Sequence, residues 1–261
     1  MLHVENLTVE YPVSRSPALR QVNLDLQDQK MVLVGSNGSG KTTLFKALLG
    51  LVRAKTGHIS LFGQDLSSVR GMTPVSTNLP EVYRLMSLPV SDLVEIHARL
   101  KGGSGAEVLG RLRALSLTEI LPKRIFELSQ GQQKMLGNLL AVSFDPRLVL
   151  LDEPFDNVDF ERRRKLVDLL RALPAEILLS THELELVSRF EGWRLAFLFE
   201  GQLFGPFQIE DLDRLYLSRG RLTQAVSVLE TGLGAFSITF DHGELPIRRA
   251  TSLIALMEAL P

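Results

Sequence analysis

The chain of 261 residues has no cysteine. Disulfides and thiol chemistry are therefore excluded, which fits a reducing cytosol. An excess of one charge sign is also missing: 29 basic residues stand against 30 acidic ones, for a net charge of -1. A nearly neutral chain offers no global argument for nucleic-acid binding. No apolar run approaches the ~18–20 residues needed to span a bilayer. Residues 1–7 carry an acid and alternate in polarity, unlike a secretory signal. The chain is thus expected to be soluble, reaching a membrane only through another protein. The five histidines, at 3, 58, 97, 182 and 242, show no metal-ligand spacing. Internal repeats and low-complexity tracts are absent too.

Against this plain background one nonapeptide stands out. Residues 35–43 read G-S-N-G-S-G-K-T-T and contain the phosphate-loop pattern G-x-x-x-x-G-K-T. The apolar run 31–34 before it reads as a buried strand, and residues 44–49 after it as the first turns of a helix. Glycines let the backbone curl so that successive N–H groups face phosphate oxygens. The helix N-terminus adds partial positive charge at the same point. Contacts to a nucleoside triphosphate are expected from Gly35, Ser36, Asn37, Gly38, Ser39, Gly40, Lys41, Thr42 and Thr43. Lys41 would supply a full charge to the β- and γ-phosphates, and the Thr42 hydroxyl is placed for Mg²⁺. The plainer alternative, a glycine-rich turn without a ligand, is disfavoured by the strand and helix on either side.

Strand and helix signals continue along the chain. Leu7, Val9 and Tyr11 alternate, as do Val22, Leu24 and Leu26, with a polar loop over 12–17 between them. Residues 57–63 read as a strand bounded by glycines. Residues 85–145 lean helical, with Leu93, Ile96, His97 and Leu100 at helical spacing and a flexible break, K-G-G-S-G, at 101–105. Leu109, Leu112, Leu115 and Leu117 are expected on a second helix. A buried strand over 148–151, a helix over 160–173, a strand over 176–180 and a hairpin over 194–204 turning at Glu200-Gly201 follow. Strands alternating with helices predict an α/β fold with a mainly parallel sheet. Residues 206–261 read as a small appendage, helical near 209–229 and extended over 235–240.

Residues 147–153 read R-L-V-L-L-D-E. Four apolar residues followed by two carboxylates describe a buried strand that delivers acids at its C-terminal edge, where ligands sit in open α/β sheets. Asp152 would hold Mg²⁺, and Glu153 would polarise the attacking water as a general base.

The ordered set of motifs resembles the ATP-binding subunit of an ABC transporter, over about residues 2–205. L-S-Q-G-Q at 128–132 is close to the family signature L-S-G-G-Q, and presents Ser129, Gly131 and Gln132 at a helix N-terminus. A serine-glycine helix cap accounts for the same residues. The resemblance implies a phosphate-loop NTPase of ABC type: a parallel core sheet, an N-terminal antiparallel β region, and a helical subdomain inserted over about 78–145. It implies an Mg²⁺-dependent ATPase in which two subunits, identical or different, meet head to tail, each signature closing the other's ATP. Asp159 corresponds to the D-loop aspartate, within F-D-N-V-D. His182 corresponds to the switch histidine that contacts the γ-phosphate. Tyr11 corresponds to the aromatic that stacks on adenine, with an ordinary strand aromatic as the alternative.

The family's loop glutamine is missing. Residues 73–81 read T-P-V-S-T-N-L-P-E, leaving Thr77 or Asn78 in its place, with Asn78 as a shorter amide ligand for the cation. The phosphate loop and N-L-P-E bring the chain near archaeal cobalt and vitamin uptake ATPases. The resemblance further implies an integral membrane partner, a position at the inner face of the cell membrane, and no nucleic acid. The partner would dock on the apolar loop with Val82, Tyr83, Leu85, Met86 and Leu88, unless these residues pack the subdomain instead. A soluble regulator of ribosome or DNA is the alternative, suggested by the basic run 162–165; a solvated helix face explains that run as well. A third reading is an ATP sensor with little turnover.

Overall fold

The computed structural model describes all residues except 13–15, 69–73, 84–87, 250–256, 258–259 and 261. Two units emerge, one of Met1–Val69 with Ser180–Pro261, the other of Arg70–Leu179. In the first, alternating apolar residues build β1 (Leu2–Val9), which pairs antiparallel with β2 (Leu19–Leu26) and sets Val4 against Leu24 and Val9 against Leu19. β3 (Lys30–Val34) is buried over Met31, Val32, Leu33 and Val34, and α1 (Lys41–Leu48) follows it through the glycine-rich loop. β4 (Thr56–Leu61) takes the other edge of β1, and β5 (Gln64–Asp65) completes a sheet in the order β2-β1-β4-β5. This is the antiparallel N-terminal region that was expected.

The second unit begins at β6 (Val75–Thr77) and then turns helical: α2 (Pro80–Tyr83), α3 (Val90–Lys101), α4 (Gly105–Ala114) and α5 (Gln130–Ala141). α3 buries Leu93, Val94 and Ala98 on one stripe, as amphipathic spacing requires. Gly102 ends it, and the Ser104 hydroxyl accepts from the Ala106 N–H to start α4. α4 is shorter than the sequence suggests. It stops at Ala114, and Leu115 and Leu117 are buried in the turn beyond it. β7 (Leu148–Leu151), α6 (Phe160–Ala172) and β8 (Glu176–Thr181) restore the α/β alternation. β7 lies parallel between β6 and β8, with Thr77 opposite Leu150 and Leu151 opposite Leu179. Burial on both faces explains why β7 reads as an unbroken apolar run.

The last residues of β8, Ser180 and Thr181, belong to the first unit. There α7 (Leu184–Val187) follows, then β9 (Arg194–Phe199) and β10 (Gln202–Gln208), the hairpin turning at Glu200 and Gly201 as expected. β9 runs parallel to β3, with Val34 opposite Phe197. Trp193, just before β9, is buried. Its ring centroid lies 4.6 Å from that of Phe190, and the Lys30 ammonium is 5.4 Å away on the ring face. β11 (Leu215–Arg219), β12 (Ser227–Thr231), β13 (Gly234–Phe240) and β14 (Leu245–Pro246) form an antiparallel sheet in the order β12-β13-β11-β14. The strand expected over 235–240 is present. The helical pattern expected over 209–229 is not: Ile209–Arg214 winds as 3₁₀ turns and strands follow. Leu215 and Leu217 face inward on either side of the half-exposed Tyr216, a period of two that a short apolar segment does not separate from 3.6.

Candidate functional site

The phosphate loop is built in the first unit by its own backbone. Gly40 caps α1 at φ 109, and a Cβ there would stand 2.6 Å from the Ala18 carbonyl oxygen, so no other residue fits. The Gly35 N–H donates to the Thr181 carbonyl at 3.1 Å, which sets the start of the loop one residue from His182. Lys41, 5% exposed, turns its ammonium back on the Gly35 and Ser36 carbonyls at 2.5 and 2.9 Å. Ser36, Asn37 and Gly38 form the turn above it, and Thr42 and Thr43 open α1. Among the described residues the buried Ser39 hydroxyl has no hydrogen-bond partner. A buried ammonium, an unmet hydroxyl and a helix N-terminus together fit a triphosphate. Tyr11 is 37% exposed, its hydroxyl 3.4 Å from that of Thr43. It lines a cleft of about 560 Å³ with Glu10, Pro12, Arg53, Ala54 and Lys55.

The acidic turn is built differently, in the second unit. β7 carries the chain to Asp152, which is buried, and Glu153, at φ 45. A left-handed backbone is strained for a residue with a side chain and persists only where its surroundings fix it. The carboxylate of Asp152 and the hydroxyl of Thr42 are hard oxygen donors of the kind Mg²⁺ takes.

Signature and D-loop meet within the second unit. Ser129 caps α5 in a reciprocal box: its hydroxyl accepts from the Gln132 N–H at 3.2 Å, and its own N–H donates to the Gln132 side chain at 3.0 Å. A Cβ on Gly131 would lie 2.2 Å from the Asn157 carbonyl oxygen, so the signature packs directly on the segment before Asp159. Asp159 caps α6 by accepting from the Arg162 N–H at 3.0 Å, and that hydrogen bond, with the nearby guanidinium, holds its carboxyl below the usual range.

Three expectations change. Asn78 is buried, and its side-chain amide is occupied by Asp152: Oδ1 accepts from the Asp152 N–H at 2.8 Å, and Nδ2 donates to the Asp152 carbonyl at 3.1 Å. It braces the turn, a role beyond the cation ligand expected of it. Thr77 accepts from the Leu79 N–H at 3.2 Å in the same buried stretch. Tyr83 is buried, with its hydroxyl 3.4 Å from the Gln133 carbonyl, so it packs the subdomain and leaves Val82 exposed. Leu85 and Met86 lie outside the described residues. The basic run has a third explanation. Arg162 donates to the Leu115 and Ser116 carbonyls at 3.2 and 3.3 Å, and Lys165 to that of Ala114 at 3.2 Å. These cations close the C-terminal end of α4, where carbonyls lack helical partners. Sequence reasoning missed Asn138, whose amide joins the same brace. Its place in an apolar helix gave no signal.

The profile of the family described as ABC transporter matches residues 19–156, more than half of the chain. The chain belongs to the ABC transporter family. The manganese transport system ATP-binding protein MntB of Bacillus subtilis (strain 168) is 30% identical over 239 residues, 85% of this chain and 94% of that one. The taurine import ATP-binding protein TauB of Pseudomonas syringae pv. tomato is 32% identical over 197 residues, 71% of this chain and 74% of that one. A solved structure provisionally named a cobalt transport ATP-binding protein (cbiO-2) superposes with a TM-score of 0.90 at 31% identity, covering 100% of both chains. The α/β architecture, with parallel strands in both units and an antiparallel N-terminal sheet, is therefore that of an ABC cassette.

Proposed function

We propose that this ABC protein binds and hydrolyses ATP with Mg²⁺ and powers transport through a separate membrane subunit. The observation that carries the reading is the buried Lys41 inside the glycine-bounded loop at the N-terminus of α1. Lys41 and the loop N–H groups hold the phosphates, Thr42 and Asp152 hold the cation, and Tyr11 receives the adenine in its cleft. Glu153 takes the proton of the attacking water, and His182 contacts the γ-phosphate. Ser129, Gly131 and Gln132 with Asp159 face the ATP of a second subunit, identical or different, in a head-to-tail pair. The packing of Gly131 on the Asn157 carbonyl supports this, because it presents signature and D-loop as one edge. Among the described residues no helix is long and apolar enough to cross a membrane, so a partner brings the chain to the inner membrane face. The names of MntB and TauB support a transport role. The reading as a regulator of ribosome or DNA loses its basic run to the capping of α4.

Glu153→Gln tests the proposal. Turnover should fall by at least about a hundredfold while ATP binding persists. Trapped with ATP in its host, the tagged variant should co-purify with a multi-span membrane protein. Recovery of ribosomal or DNA-bound partners alone, or undiminished turnover, would overturn it.

A further inference from the structure

Four hydrogen bonds reach the backbone of residues 152–154 from side chains distant in sequence. Asn78 accepts from the Asp152 N–H at 2.8 Å and donates to the Asp152 carbonyl at 3.1 Å. Lys134 donates to that same carbonyl at 3.1 Å. Asn138 donates to the Pro154 carbonyl at 2.7 Å. A fifth bond joins the two amides, Asn78 Nδ2 to Asn138 Oδ1, at 2.8 Å. Both asparagines are buried, at 2% and 0% exposure.

The arrangement has a simple logic. β6 pairs with β7 as far as Thr77 opposite Leu150, and the Asn78 N–H still leans toward the Leu150 carbonyl at 3.4 Å. Beyond that point the Asn78 side chain, with one carbonyl and one NH₂, offers Asp152 the groups of a peptide and extends the ladder. Asn138, three residues before the end of α5, bonds the carbonyl of Pro154 on the other side of Glu153. The residues flanking Glu153 are thus pinned from β6 and from α5. The strained φ of 45 at Glu153 is fixed by its surroundings on both sides. Leucine and aspartate match asparagine in size, but neither both donates and accepts at neutral pH.

We infer that Asn78 and Asn138 form an amide bridge that positions Glu153 and Asp152 for hydrolysis, an inference that rests on Glu153 being the general base. Both amides are taken up by Asp152, Pro154 and each other, so their loss should act mainly on kcat and leave KM near the parental value. Asn138→Leu and Asn78→Leu should each lower kcat about ten- to a hundredfold, the range for groups that orient a reacting shell. Binding of a fluorescent ATP analogue should be unchanged. The double variant should be no slower than the slower single one, since one broken link frees the turn. Asn138→Ser, which keeps a hydroxyl, should recover part of the rate. It also carries the test should Asn138→Leu fail to fold.

Parental kcat in these variants, with Glu153→Gln inactive, overturns the bridge and leaves the site reading intact. A kcat loss matched by an equal loss of ATP-binding protein, as expected of plain unfolding, also overturns it. Full turnover by Glu153→Gln overturns both.

Discussion

The phosphate loop of the first unit and the acidic turn of the second are built in different ways. The loop is fixed mostly by its own stretch of chain: Lys41 bonds carbonyls five and six residues back, Gly40 supplies the backbone conformation, and backbone groups, the Thr181 carbonyl and the Gly201 N–H, reach it from afar. The turn is held from elsewhere, by Asn78, Lys134 and Asn138. A site of the first kind is written in one stretch of chain, and one substitution destroys it. A site of the second kind is distributed, and its supports lie where no motif points.

The sharpest way to break the comparison is Gly40→Ala. At φ 109, with a Cβ 2.6 Å from the Ala18 oxygen, the variant takes on ~1–3 kcal/mol of strain, and ATP affinity should drop about ten- to a hundredfold. Equilibrium binding of ATP measures it; unchanged affinity would mean the loop is as adjustable as the turn. Gly131→Ala strikes the second unit instead. Its Cβ, 2.2 Å from the Asn157 oxygen, should destabilise the protein by ~1–3 kcal/mol in thermal unfolding. Arg162→Ala should destabilise by about 1 kcal/mol, and part of the loss should survive high salt, because two of its acceptors are neutral carbonyls. Arg162→Lys should not restore it, since one ammonium does not span the Leu115, Ser116 and Asp159 acceptors.

The smallest effect is one of pH. Burial, with Lys101 nearby, lowers the His97 pKa from 6.5 to about 4. Between those values the unfolded chain takes up a proton that the folded one refuses. Stability is therefore complete above pH 6.5 and lost as pH falls toward 4. His97→Phe, beside Phe144 at a ring separation of 5.8 Å, should flatten that acid slope by about 1 kcal/mol in denaturant titrations.

What could be read in advance follows from the same contrast. The phosphate loop, the R-L-V-L-L-D-E strand and the Glu200-Gly201 hairpin are local patterns, and each takes its expected form. The role of Asn78 was not legible, because its partners stand 60 and 74 positions away. Arg162 and Lys165 looked like a charged surface because the helix end they close belongs to a different element. In residues 209–229 the apolar spacing satisfied two periods at once, and pairing with β13 decided for strand.

Trp193 is the only tryptophan in the chain, and it is buried beside Phe190 and Lys30 in the first unit. Its emission is therefore an optical reading of that unit alone, while most of the helical dichroism arises from α3, α4, α5 and α6 of the other. Followed together through a denaturant titration, the two signals separate the melting of the phosphate-loop unit from that of the helical one. A red shift that trails the loss of ellipticity would show the two units opening in sequence.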